Sequence, residues 1–344
     1  MTADVVRPNR SRAVIALGIL LLGCALVSVR VGPFPITLTD IFNAFSTDMA
    51  GSREALVIRE LRLPRLMLAA LVGAALAMSG AVLQGLFRNP LADPGLIGVS
   101  SGAALAAVSV IVLGGSAFST MGYVMPSFML PAGAFIGALL ASMMVWRIAS
   151  RHDGTDVALL LLAGIAINSI AMAVTGLLVF MADDAQLRTL TFWNMRSLAQ
   201  ASWGDVLIAL PCLMAVFFVT PWIARPLNAL LLGEAVAGHL GFSPQRVKQI
   251  AVVSVALAVG AAVSVSGLIG FVGLVAPHLV RLLLGVDHRV LLPASALLGA
   301  LLLVLADMFA RTVVAPAELP IGIVMALIGG PFFLLLLMQR RRGI

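Results

Sequence analysis

Runs of about twenty apolar residues recur along almost the whole chain, and they leave it few ways to fold. The first is Ala13–Val29. Others follow at about Leu66–Leu86, Leu96–Leu113, Pro131–Ile148, Val157–Met181, Val206–Ile223, Val247–Val265, Val272–Leu284, Val290–Met308 and Ile321–Met338. A helix satisfies its own backbone hydrogen bonds, which is the condition for crossing hydrocarbon. The predicted fold class is an all-α polytopic membrane protein with about ten transmembrane helices. Composition agrees. Of 344 residues 61% are hydrophobic and 11% charged, whereas a soluble domain devotes about a quarter to charge. The mean hydropathy is +1.10.

Charge follows topology. The formal net charge of +7 comes from arginines standing singly in short loops, so a nucleic-acid surface is not expected. Arg7, Arg10 and Arg12 precede an apolar stretch too long for a signal h-region, and no convincing small-x-small cleavage site follows. The first helix, about 13–30, is read as retained. Ten spans put Arg10 and Arg340-Arg341-Arg342 on one side, together with Arg147, Arg151, Arg225, Arg246, Lys248 and Arg289. The positive-inside rule makes that side, and both termini, cytoplasmic. Arg53, Arg59, Arg62 and Arg65 break the rule on the outer side. Cys24 and Cys212 lie within apolar runs and read as packing residues.

Val72-Gly73-Ala74-Ala75-Leu76-Ala77-Met78-Ser79-Gly80 returns as Val259-Gly260-Ala261-Ala262-Val263-Ser264-Val265-Ser266-Gly267. Each copy is followed by a helix breaker, Asn89-Pro90 and Pro277 respectively. The copies fall on the second and seventh spans and so run in opposite directions. An inverted repeat of spans 2–5 and 7–10 is expected, at about 66–181 and 247–338, within one permease domain over residues 1–344. Stripes of small residues, Gly98/Gly102/Ala106 and Gly133/Gly137/Ala141, suit close helix packing.

The energy source is constrained by what is missing. A P-loop needs Lys followed by Ser or Thr, and the only lysine, Lys248, precedes Gln249. Ion-coupled carriers keep carboxylates at membrane depth, yet here they sit at helix ends or in loops, among them Asp93, Asp153, Asp156, Glu234, Asp307 and Glu318. A separate ATPase is therefore favoured over an ion-coupled secondary transporter. A membrane enzyme ranks last, because no catalytic nucleophile, base or metal cluster is apparent. The segment 225–243 reads as two short cytoplasmic helices broken at Gly233 and suited to ATPase docking. Its candidate contacts are Leu227, Asn228, Leu231, Gly233, Glu234, Ala235, Gly238, Leu240 and Gly241. The competing reading is an interfacial helix resting on lipid.

Six motifs then stand in order: Leu61-Arg62-Leu63-Pro64-Arg65, Gln84 to Gly98, Gly233-Glu234-Ala235 with Leu240-Gly241, Gly270 to His278, Asp287-His288-Arg289, and Ala317 to Gly322. The chain resembles the permease subunits of the iron-siderophore, haem and vitamin B12 family of ABC importers from about Leu61 to the last helix. The resemblance implies a homodimer in the bacterial inner membrane, two ATPase subunits that use ATP and Mg, and a periplasmic substrate-binding protein. No cofactor is expected in this chain itself. It also implies a path along the dimer interface, with Asn168 as a lining candidate; a helix–helix hydrogen bond is the equal alternative. Arg62, Arg65 and Arg311 match positions that dock the binding protein. The gate region matches Thr155, Val157 and Ala158, where apolar residues replace the family's hydroxyls. The stretch from Gln84 to Leu105 is most similar to the haem branch, with an Fe(III)-siderophore or cobalamin as alternatives. Of the histidines, His152, His239 and His288 fall in cytoplasmic loops and His278 beside Pro277, while Tyr123 lies in an outer loop. None forms a haem-ligand arrangement.

Overall fold

The computed structural model describes residues 10–32, 34–46, 52–115, 126, 128–151, 154–194, 198–315 and 317–342. Arg7, Tyr123, His152 and Asp153 lie outside them, as do the side chains of Arg151 and Arg340 to Arg342. Among the described residues seven helices are long and apolar enough to span a membrane, and three shorter apolar helices accompany them. Together they are the ten expected spans. The seven are α1 (Arg10–Arg30), α3 (Arg53–Leu86), α5 (Met129–Ala149), α6 (Val157–Met181), α8 (Trp203–Leu231), α10 (Pro244–Ser266) and α12 (His288–Ala310). The shorter three are α4 (Val99–Gly114), α11 (Val272–Leu284) and α13 (Ile321–Arg342). Between them lie α2 (Leu38–Asn43), α7 (Asp184–Asn194) and α9 (Glu234–His239). One departure from pure helix is a two-stranded antiparallel ribbon, β1 (Ser150–Arg151) with β2 (Gly154–Thr155).

Local chemistry sets the helix ends. Asp156 caps α6 by accepting from the amides of Ala158 at 2.8 Å and Leu159 at 3.3 Å. Asp287 caps α12 through the Arg289 amide at 3.0 Å. The breaker after α3 gives a 3₁₀ turn, Pro94–Ile97, opened by Asp93, whose Oδ1 accepts from the Gly95 amide at 2.8 Å. Gly98, at φ 83°, ends that turn and starts α4.

The chain divides into two compact units. The first holds residues 1–81, 197–210 and 270–344. Its core joins α3 to α12 at a glycine pair: a Cβ on Gly73 would sit 2.4 Å from the Gly299 carbonyl oxygen, and one on Gly299 2.4 Å from that of Gly73. Where lipid supplies no hydrophobic drive, such backbone approach is what holds helices together. The second unit holds residues 82–196 and 211–269. There α4 and α5 meet at Gly102 and Gly137 in the same way, again at 2.4 Å each. Gly260 of α10 faces Ala138 of α5, at 3.2 Å from an added Cβ.

These contacts give the repeat a physical meaning. Gly73 and Gly260 occupy matching positions in the two copies. Each copy opens with a long helix, an irregular link, a short helix and another long one: α3, the 3₁₀ turn, α4 and α5, then α10, residues 267–271, α11 and α12. Within the first unit the opening helix of copy one packs on the third helix of copy two. Within the second unit the opening helix of copy two packs on the third helix of copy one.

Candidate functional site

The segment expected to meet an ATPase begins earlier than its glycine suggests. Residues 225–231 continue α8 to Leu231, so they are not a separate short helix. Leu227 is fully buried and belongs to the core of the second unit, which removes it from the candidate contacts. Asn228 is half-buried. The break itself is where the sequence puts it. Gly233 has φ 114° and Gly241 φ 84°, backbone that favours glycine, and between them stands α9.

Beyond Leu231 the surface opens. Leu232 is 68% exposed, Val236 40% and Leu240 58%. Val236 and Leu240 stand four residues apart on α9 and its C-cap and so share one side, while Leu232 precedes the break at Gly233. Ala235, Gly238 and Gly241 are exposed around them, and a Cβ added at Gly238 would meet nothing within 4 Å. An exposed apolar stripe on a short helix is suited to a groove in another protein.

One polar residue of α9 is anchored inward. Lys248, buried in the second turn of α10, donates from Nζ to Glu234 Oε2 at 2.7 Å and to the Thr155 carbonyl at 2.5 Å. Gln245, one turn earlier, accepts from the Thr155 amide at 2.8 Å and donates to Thr155 Oγ1 at 2.8 Å. The Thr155 hydroxyl also bonds Ser150 Oγ at 2.8 Å across the ribbon. Thr155 is therefore buried and engaged on every side. Val157 beside it is half-buried and Ala158 exposed.

Asn168 takes the helix–helix option of its two readings. Its Nδ2 donates to the Gly95 carbonyl at 3.2 Å, and its Oδ1 accepts from the Ser101 hydroxyl. Four residues earlier on α6, a Cβ on Gly164 would lie 1.8 Å from the Leu96 carbonyl oxygen. The 3₁₀ turn and α6 are thus pressed together at two successive turns.

A second cluster lies in the first unit. Arg62 donates from Nη1 to the carbonyls of Val29 at 2.5 Å and Arg30 at 2.9 Å, and from Nη2 to that of Phe34. It caps the end of α1, where orphan carbonyls attract a cation. Arg65 forks onto two carboxylates. Nε donates to both oxygens of Asp307 at 2.9 and 3.1 Å, and Nη1 and Nη2 each donate to Glu318, at 2.8 and 2.9 Å. Arg311 donates to the Ser28 carbonyl at 2.8 Å and hydroxyl at 2.6 Å, with Nε 3.5 Å from Asp307 Oδ2. All three arginines are buried. Their acceptors come from α1, from Phe34 beyond it, from Asp307 of α12 and from Glu318, so the three side chains are engaged within the first unit. Arg53, by contrast, is exposed, and half-buried Arg59 lies over the Phe45 ring at 5.7 Å from its centroid.

Sequence reasoning missed Lys248 and Gln245 as structural partners, although a lone lysine in an apolar helix was a signal to look for its carboxylate. Among the described residues no group of three or more His, Cys, Asp or Glu side chains is placed to hold a metal.

Ten apolar helices, an internal repeat and an anchored apolar stripe outside the spans define a polytopic transport permease. The FecCD transport family matches residues 20–339, and the chain belongs to it. It is 45% identical over 323 residues to the hemin transport system permease protein HmuU of Yersinia pestis, covering 94% of each chain. It is 41% identical over 367 residues to the cobalamin import system permease protein BtuC of Halobacterium salinarum, covering 94% of this chain and 95% of that one. A solved structure described as an inward-facing conformation of a metal-chelate type ABC transporter superposes with a TM-score of 0.83 at 31% identity, over 96% of this chain and 99% of that one. The chain is an ABC importer permease of this family and a multi-pass membrane protein.

Proposed function

We propose that the chain forms the membrane path of an ATP-driven importer that carries an iron complex, haem first, from periplasm to cytoplasm. Two copies of the permease form a homodimer in the inner membrane, with both termini cytoplasmic. Two ATPase subunits, which use the ATP and Mg, grip the segment after Leu231. The observation that carries this reading is the exposed apolar side chains Leu232, Val236 and Leu240, on either side of a Glu234 tied back to the permease core. A surface of that kind can pass motion into the spans as a rigid body.

A periplasmic binding protein delivers the cargo to the outer end of the first unit. Arg53 and Arg59 are among the cations at that surface, while Arg62, Arg65 and Arg311 brace the helices beneath it. Haem is favoured by the greater identity to a hemin permease, 45% against 41% for the cobalamin permease of Halobacterium salinarum. Cobalamin and an Fe(III)-siderophore are the competing cargoes. Uptake of each should be measured in proteoliposomes holding the permease, its ATPase and its binding protein. Saturable haem uptake with no cobalamin uptake is expected; the reverse would reassign the cargo.

A further inference from the structure

Three parts of the second unit converge on the first turns of α10. Gln245 and Lys248 sit one turn apart there and hold Thr155 through its amide, hydroxyl and carbonyl, at 2.5 to 2.8 Å. Thr155 immediately precedes Asp156, which caps α6. The same Lys248 ammonium holds Glu234, the first residue of α9. Lys248 is 4% exposed, whereas the Glu234 side chain is 43% exposed. A partner protein can therefore reach Glu234 but not Lys248.

A lysine buried at this depth pays a desolvation cost that only well-placed acceptors offset. Its two acceptors come from different elements, so their separation is fixed as long as both bonds hold. A cheaper way to hold either element alone is available. Glu234 is exposed enough to be solvated by water, and the Thr155 amide and hydroxyl already have Gln245. What Lys248 adds is a connection between α9 and the start of α6.

We propose that Lys248, with Gln245, is a positioning residue that makes α9 and the N-terminal turn of α6 move together, so that displacement of the docking segment reaches the spans through α6. This rests on the reading of α9 as the ATPase docking element. The chemistry is one ammonium bridging a carboxylate and a carbonyl, and it involves no proton transfer or bond change.

The test is hydrogen exchange on the full permease–ATPase complex, with and without trapped ATP, read separately in peptides covering 234–242 and 154–160. In the wild type both peptides should respond to nucleotide. In Lys248→Met, which keeps the apolar stem and removes the charge, the ATPase should stay bound and 234–242 should still respond. The response at 154–160 should fall by roughly tenfold, within the usual span of coupling free energies. Lys248→Arg should restore it, because a guanidinium can donate to both acceptors. Gln245→Met loosens Thr155 against α10 while leaving the Lys248 bridge in place, and should reduce the 154–160 response in part. Equal responses of both peptides in Lys248→Met, or loss of ATPase binding in that variant, would overturn the proposal. Absence of any nucleotide response at 234–242 in the wild type would instead remove the docking reading, and this inference with it.

Discussion

Arg65 and Asp307 stand 242 positions apart in the sequence and share two hydrogen bonds from one guanidinium nitrogen, at 2.9 and 3.1 Å. Asp307 is 1% exposed and also faces Arg311, so this one carboxylate balances cations from two elements of the first unit. Removing the Asp307 charge takes the carboxylate facing Arg311 and leaves Arg65 with Glu318 as its acidic partner. Asp307→Asn should cost about 3–5 kcal/mol, read as a lower thermal unfolding midpoint of the detergent-solubilised permease.

Glycines on α6 separate packing from mere composition. Gly164→Ala places a methyl 1.8 Å from the Leu96 carbonyl oxygen, while Gly176 has nothing within 4 Å of an added Cβ. Gly164→Ala should destabilise by about 1–3 kcal/mol or prevent assembly of the second unit. Gly176→Ala should leave the unfolding midpoint unchanged or slightly raised. Equal behaviour of the two would contradict the close approach of α6 to the 3₁₀ turn.

The outer arginines divide by burial. Arg62→Ala should lower the unfolding midpoint, since three carbonyls at and beyond the end of α1 lose their donor. Arg53→Glu, on an exposed side chain, should leave the midpoint alone and weaken binding-protein affinity by roughly tenfold at low salt, less at high salt. Titration of the binding protein against reconstituted permease reads the second effect.

The docking stripe makes a matching pair. Leu240→Asp should reduce ATPase co-purification by roughly tenfold or more with an unchanged midpoint, as expected for an exposed apolar contact residue. Leu227→Ala, fully buried, should instead cost about 2–5 kcal/mol of stability. If Leu227→Ala abolished ATPase binding at unchanged stability, the boundary placed here at Leu231 would be wrong.

Much of this architecture was legible in the sequence because it is local. Apolar length fixes the spans, and the paired Val72–Gly80 and Val259–Gly267 stretches mark the repeat, with Gly73 and Gly260 each meeting a neighbouring helix in its own unit. Gly233 and Gly241 mark the ends of α9 because positive φ favours glycine. What depends on partners far along the chain was not legible. Nothing near Arg62, Arg65 or Arg311 in sequence says that Val29, Glu318 and Ser28 will supply their acceptors. Leu227 read as part of a short docking helix, whereas α8 continues past Pro226 and buries it. The anchoring of Thr155 escaped for the same reason, its bonds being made by Gln245 and Lys248 some ninety positions away.

A partner ATPase, and not an ion gradient, is the energy source proposed for this permease. The direct measurement is uptake of radiolabelled haem into proteoliposomes containing the permease, its ATPase and its binding protein, with ATP or a proton or Na⁺ gradient as the only energy source. The account predicts uptake with ATP alone and none from either gradient. Gradient-driven uptake by the purified permease without the ATPase would contradict it.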